Sequence, residues 1–305
     1  MKINVAIAQF SPVVLDLKGS VDKACRIIEM AGKKKVKVLG FPETWIPVYP
    51  LWSDMGSYSQ WGNEAAKKLY RRLYENSIAL RSTELKKIGA ACRNAKLYLV
   101  LGVNERSAKS IYNSLLFFND KGELIGHHRK LVPTFGERLV WGHGDASGLK
   151  THETPFGKLG GLICWEHWIP AARHVLHAEG ELLHVASWPH GKEMHQIASR
   201  HYAFEGRCFV LAAGMYVEKR MFPKDYELSA ELKDLPDVLI PGGSAIIGPD
   251  GAYITEPLFG KEELIVAEID TGRAIEESLT LDVGGHYARP DVFEVNVRRQ
   301  PRNNE

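Results

Sequence analysis

The chain has 305 residues, 45% of them apolar and 25% charged, with a formal net charge of +2. This is the profile of a globular protein long enough for one large α/β domain. It argues against nucleic acid or an anionic membrane surface as partner, and no apolar run approaches the roughly 18 residues that span a bilayer. The four cysteines, Cys25, Cys92, Cys164 and Cys208, are scattered without a CxxC pair. That spacing argues against a disulfide framework or zinc ribbon and fits a reducing cytoplasm.

Residues 3–9 read as a first strand, without the charged-then-apolar order of a signal peptide. Apolar residues at Val21, Ala24, Cys25, Ile28 and Ala31 give 16–33 a helical period. A second strand, 35–41, runs into a loop, 42–50, with three prolines and two aromatics. Residues 63–95 are helical with a break near Ser82, and 97–103 is a strand. Segments 111–119 and 123–128 form a hairpin around Asp120-Lys121-Gly122. After the turn 156–158, a buried strand ends at Cys164, and a helix starts near Pro170. Strand 182–187, helix 193–205 and strand 209–216 follow. The polar stretch 217–241 suggests an excursion or lid; 244–248 and 264–269 read as closing strands and 271–279 as a last helix. No composition break divides the chain, so a single domain over 1–297 and a short tail over 298–305 are expected.

Four stretches carry chemistry-bearing residues. Cys164 stands at the C-terminal end of a strand, where α/β proteins place their chemistry, although a lone thiol is often a small buried hydrophobe. Glu43 follows an apolar strand directly; partial desolvation there would raise its carboxyl toward the range of a general base, and the bland alternative is a surface glutamate. Lys130 ends another strand, either to hold substrate charge or as one of a row of basic residues on a solvated edge. Glu137 opens a glycine-punctuated loop, 137–145, that also reads as a plain turn with an Arg–Glu pair. His174/His177, His190/His195 and His201 show no zinc-ligand spacing, so no metal is expected.

Taken together and in order, these stretches resemble the nitrilase branch of the carbon–nitrogen hydrolase superfamily. The matching phrases are Phe-Pro-Glu-Thr-Trp-Ile-Pro-Val-Tyr-Pro (41–50), His-Arg-Lys-Leu-Val-Pro-Thr (128–134), Glu-Arg-Leu-Val-Trp-Gly-His-Gly-Asp (137–145), Cys-Trp-Glu-His-Trp (164–168) and His-Tyr-Ala-Arg-Pro-Asp-Val-Phe (286–293). The resemblance implies a four-layer α-β-β-α sandwich and dimers pairing across a helical face. It also implies roles: Glu43 as general base, Lys130 as electrostatic stabiliser, Cys164 as nucleophile and Glu137 as a second, positioning carboxylate. The substrate it implies is a small nitrile, hydrolysed without metal or organic cofactor. Tyr49, Trp165, His167 and Trp188-Pro189-His190 lie beside the motifs as pocket candidates. Two departures stand out. Ala146 occupies a position where such proteins more often carry glycine, and the chain stops soon after the fifth phrase, which argues against long spiral assemblies.

The chemistry explains the company Cys164 keeps. A nitrile carbon needs a thiolate, and moving a proton from an ordinary thiol (pKa about 8.5) to an ordinary glutamate (about 4.3) costs about 5–6 kcal/mol. Lys130 and the N-terminus of the following helix are expected to lower the thiol's pKa, and burial with the like charge of Glu137 to raise that of Glu43. An amidase or carbamoylase, or a cyanide-hydrolysing enzyme, would use the same four residues. The Cys-Trp-Glu-His wording favours nitriles. A catalytically dead scaffold would not retain a coherent charge set, and a thiol redox protein lacks a resolving cysteine near Cys164.

Overall fold

Short polar side chains set the helix starts. In the computed structural model, which describes residues 1–300, Asp16 accepts from Gly19 N–H, Asn63 from Ala65 and Ala66 N–H, and Ser82 from Leu85 N–H. Each satisfies a donor that the first helical turn leaves free. In chain order the elements are β1 (Lys2–Gln9), α1 (Leu17–Lys33), β2 (Val36–Gly40), α2 (Glu64–Glu75), α3 (Thr83–Ala95), β3 (Tyr98–Ser107), β4 (Ser110–Phe118) and β5 (Leu124–Arg129). Then come β6 (Lys158–Ile163), α4 (Pro170–Ala178), β7 (Glu181–Ser187), α5 (Glu193–Gly206), β8 (Phe209–Ala213) and β9 (Tyr216–Glu218). The chain closes with α6 (Ser229–Leu232), β10 (Val238–Ile247), β11 (Tyr253–Phe259), β12 (Glu263–Asp270) and α7 (Gly272–Ser278). Among the described residues no helix is long and apolar enough to cross a membrane.

The strands form two sheets, ordered β12-β1-β2-β3-β4-β5 and β11-β10-β8-β7-β6, with β9 paired to β10. The period-2 alternation of the inner strands sends side chains into two different cores. On β1, β3 and β4, Ala6, Ala8, Leu99, Leu101, Leu116 and Phe118 join the core shared with α1 and α3. Their neighbours Val5, Ile7, Val100, Leu115 and Phe117 meet Leu162, Val185, Leu211 and Ile246 of the other sheet. On the far side of that second sheet, Leu176 of α4 and Tyr202 of α5 are buried against it. The order of layers is therefore helix, sheet, sheet, helix, the α-β-β-α sandwich expected. Gly40 lets the sheets approach closely; a Cβ there would lie 3.0 Å from Val185 Cγ1.

Three expectations need correction. The strand expected over 209–216 is two strands, β8 and β9. β10 begins at Val238, well before residue 244, and β11 was not anticipated. β11 is an edge strand, half-exposed along its length and carrying Glu256 and Pro257, so it lacks the apolar run that marks an inner strand. The stretch 217–241 does not stand off as a lid: Phe222, Tyr226, Leu228 and Leu232 are buried in the first core, and Arg72 of α2 pairs with Asp225 at 3.1 Å. Of the expected tail, residues 301–305 lie outside the described residues.

Candidate active site

Four charged or reactive side chains, distant in sequence, meet in the interior at the strand ends. Glu43 follows β2, Lys130 follows β5, Glu137 lies in a 3-10 turn (Phe135–Leu139), and Cys164 opens a second 3-10 turn (Cys164–Trp168) directly after β6. All four are buried. The Lys130 ammonium donates to Glu43 Oε1 at 2.9 Å and to Glu137 Oε2 at 2.6 Å. Glu137 also accepts from Thr134 N–H at 2.6 Å and from the Tyr49 hydroxyl at 2.9 Å. Reactive atoms of Glu43, Glu137 and Cys164 all lie within 4.8 Å of one another. Glu43 Oε2 is buried without a hydrogen-bond partner.

Local backbone explains these positions. Cys164 has a φ of 53°, in the left-handed region that side chains other than glycine rarely occupy. Its turn is tied down by Glu166, whose carboxylate accepts from Ile163 N–H at 2.7 Å, Leu131 N–H at 2.8 Å and His128 Nε2 at 3.0 Å. One buried carboxylate thus joins the Cys164 turn to the residues on either side of Lys130. Gly102 on β3 leaves room for the Glu43 segment: a Cβ there would lie 2.1 Å from the Pro42 carbonyl oxygen and 2.7 Å from Thr44 N. Gly144 donates its N–H to the Lys130 carbonyl at 2.8 Å, and a Cβ on it would meet the Arg129 carbonyl oxygen at 2.2 Å. These two glycines are needed for close backbone approach.

Burial dominates the electrostatics. It pushes the Glu43 carboxyl up to about 7, with the Lys130 charge opposing and Glu137 reinforcing. Burial lowers Lys130, but the negative charges of Cys164, Glu43 and Glu137 outweigh it and hold the ammonium firmly protonated. The thiol departs from expectation. Burial and the Glu43 and Glu137 charges raise Cys164 well above an ordinary thiol, and Lys130 offsets only part of this. The helix expected after the thiol, α4, begins only at Pro170, beyond the 3-10 turn that Cys164 opens. The resting site therefore holds a neutral thiol beside a carboxyl poised near neutrality.

The pocket candidates separate. Tyr49 joins the quartet through Glu137. Trp165 is 55% exposed. Trp188 is fully buried; its carbonyl accepts from Glu43 N–H at 3.2 Å, but its indole turns to Ser199 of α5 and stacks on His167. His167 is likewise turned inward, with Nδ1 on the Cys164 carbonyl and Nε2 on His184. Both rings pack toward α5, His167 edge-on to Tyr202 and Trp188 on Ser199. Pro189 is buried and its carbonyl accepts from Met215 N–H. His190 packs edge-on to His195, and burial with the His195 and Lys192 charges lowers its pKa to about 3. Sequence reasoning missed Asn113, whose Nδ2 donates to Glu43 Oε1 at 2.6 Å. It sits inside a regular apolar strand, where nothing local distinguishes it.

Among the described residues, two buried groups of His, Cys and carboxylate bring their ligand atoms within 4.8 Å, Glu43-Glu137-Cys164 and His177-Glu181-Cys208. In the first the Lys130 ammonium already occupies the place of a cation between the carboxylates. In the second both Glu181 oxygens are held by His184 and Tyr202. Neither donor set is arranged around a metal.

Comparison with known proteins agrees with this geometry. The profile of the carbon-nitrogen hydrolase family matches residues 4–276. A nitrilase of Pseudomonas syringae pv. syringae is 37% identical over 98% of this chain and 90% of its own. A bifunctional nitrilase/nitrile hydratase of Lupinus angustifolius is 36% identical over 99% of this chain and 87% of its own. Among solved structures, a Saccharomyces cerevisiae member of branch 10 of the nitrilase superfamily superposes with a TM-score of 0.71 at 20% identity, covering 94% of this chain and 96% of that one.

Proposed function

This chain belongs to the carbon–nitrogen hydrolase family, and within it we propose a nitrilase that converts an organic nitrile to the carboxylic acid and ammonia. The observation that carries the mechanism is the buried, unpartnered Glu43 Oε2 beside the neutral Cys164 thiol. The nitrile as substrate is supported by the nitrilase relatives, 36–37% identical over nearly the whole chain.

Glu43 takes the thiol proton as sulfur attacks the nitrile carbon, so the thiolate exists only as the C–S bond forms. Charge develops on nitrogen, where the Lys130 ammonium and the backbone N–H of Trp165 stabilise it; the first N–H groups of a helical turn have no acceptor within that turn. Glu43 passes the proton to nitrogen, giving a thioimidate. Water, deprotonated by Glu43, adds to carbon, and the tetrahedral intermediate expels ammonia to leave a thioester. A second water releases the acid and restores the thiol. Expulsion of sulfur instead of ammonia yields the amide. Glu137 fixes the Lys130 ammonium and, through its charge, keeps the Glu43 carboxyl basic. Tyr49, Trp165 and His190 border the substrate space; Trp188 and Pro189 position it through their backbone.

The enzyme works as a homodimer or larger homo-oligomer joined across the α4/α5 face. The support is the exposed apolar set Trp168, Met194, Ile197 and Phe204 on that side. The segment carrying residues 286–293 lies over the same region; a Cβ on Gly284 would lie 2.7 Å from the His177 carbonyl oxygen. All four cysteines are free, which suits a reducing cytoplasm. The test is ammonia release from aliphatic, aryl and arylacetonitriles beside the matching amides, for the wild type and Cys164→Ala. Turnover of nitriles that is lost in the variant is expected; activity on amides alone, or a fully active variant, overturns the reading.

A further inference from the structure

Beneath the Cys164 turn, on the side away from the charged quartet, runs a buried chain of hydrogen bonds that the mechanism above does not use. His167 Nδ1 lies 2.7 Å from the Cys164 carbonyl oxygen, and His167 Nε2 lies 2.9 Å from His184 Nε2. His184 Nδ1 lies 2.7 Å from Glu181 Oε1, and the Tyr202 hydroxyl donates to Glu181 Oε2 at 2.5 Å. All these side chains are buried. The space is built for them: a Cβ on Gly160 of β6 would lie 1.9 Å from Glu181 Oε1. Tyr202 stacks on His184 with ring centroids 3.8 Å apart.

The proton positions follow from the acceptors. A backbone carbonyl only accepts, so His167 must carry its proton on Nδ1. Burial and the neighbouring His184 hold His167 far below its usual range, so it stays neutral and its Nε2 accepts. His184 must then donate from Nε2. Burial and His177 keep it neutral as well, which leaves its Nδ1 as an acceptor. The remaining proton can come only from Glu181. We propose that His167, His184 and Glu181 form a positioning relay that holds the left-handed Cys164 turn through the proton shared between Glu181 and His184. The proposal rests on the nitrilase reading for its effect on turnover, but not for the relay itself.

Burial is the first cause that pushes the Glu181 carboxyl up to about 8, with His177 and Tyr202 opposing and Glu179 adding to it. The other titratable groups packed around it are Glu205 on α5 and Cys208 ahead of β8. When Glu181 ionises, His184 Nδ1 must become the donor and His184 Nε2 an acceptor. His167 can then satisfy either His184 or the Cys164 carbonyl, but not both. The turn that carries the nucleophile loses an anchor as pH rises through about 8. The unfolded chain releases this proton near 4.5, so the folded form binds more protons between the two values and stability falls as pH rises between them.

Glu181→Gln mimics the protonated carboxyl, giving an N–H to His184 and a carbonyl to Tyr202. Thermal unfolding of wild type and this variant is compared from about pH 5 to about pH 9, together with kcat and KM for ammonia release from a nitrile. The expected result is near-equal midpoints at the acid end and a variant increasingly the more stable toward the alkaline end. The variant's kcat also keeps its value where wild type declines. His167→Ala is expected to lower kcat about 10- to 100-fold with KM unchanged, and His167→Asn, whose amide N–H can reach the same carbonyl, to restore most of it. A Glu181→Gln protein less stable than wild type at the alkaline end, or a His167→Ala enzyme with wild-type kcat, overturns the relay. Absence of ammonia from every nitrile, with the stability pattern present, supports the relay and sinks the nitrilase reading instead.

Discussion

Asn113 holds Glu43 more closely than Lys130 does: its side-chain N–H reaches Glu43 Oε1 at 2.6 Å, and the ammonium reaches the same oxygen at 2.9 Å. Both stabilise the carboxylate against the burial that raises it. Asn113 therefore tunes the carboxyl proposed to accept the thiol proton, from a strand, β4, that carries none of the quartet.

Removing that donor raises Glu43 above about 7. The base is active when ionised, so the acid limb of kcat in Asn113→Leu moves to higher pH by about one to two units, the worth of a hydrogen bond to a charged group. A pH series of ammonia release checks this. An acid limb at the wild-type position would show that Asn113 does not set the carboxyl.

Gly102→Ala puts a methyl 2.1 Å from the Pro42 carbonyl oxygen and pushes the Glu43 segment away from β3. Displacement of a reacting group by about 1 Å costs on the order of a hundredfold in rate. The expected outcome is a matching fall in kcat with the oligomer unchanged, measured by steady-state kinetics and size-exclusion chromatography.

Glu166→Ala leaves Ile163 N–H, Leu131 N–H and His128 without their shared acceptor. Loss of one partner from a buried charged cluster costs about 3–5 kcal/mol, read by urea unfolding. Glu166→Gln keeps one acceptor oxygen and is expected to cost less.

Glu105 is buried between β3, β4 and β5, where it accepts from Ser114, His127 and both Nε and an Nη of Arg129. Burial opposes its ionisation, but these donors win and hold it at about 2. A carboxyl depressed from 4.5 contributes stability that is complete above that value and is lost as pH falls toward 2. The contribution is about 3 kcal/mol at about 1.36 per unit. Glu105→Gln should therefore lower the unfolding midpoint at neutral pH, with the gap to wild type closing on acidification.

Much of the fold was legible because its signals are local. The helical period of 16–33, the break at Ser82 and the apolar run ending at Cys164 all lie within a few residues of the structure they specify. β11 escaped because an edge strand buries too little to demand an apolar pattern. Residues 217–241 read as a lid because their few buried aromatics, Phe222 and Tyr226, stand in a polar, proline-containing stretch, and the core they join is supplied by distant chain such as Trp52.

The sequence alone singled out the residues proposed to carry the chemistry: Glu43, Lys130, Glu137 and Cys164 each stand in distinctive wording at or near a strand end. Tertiary structure decided how they are poised. It places Asn113 against Glu43, turns His167 onto the Cys164 carbonyl and His184, and makes the thiol harder to ionise than in water instead of easier. A residue's type and its strand end are written in its neighbours. Its desolvation and its hydrogen-bond partners come from chain tens of residues away, such as the 70 that separate Glu43 from Asn113.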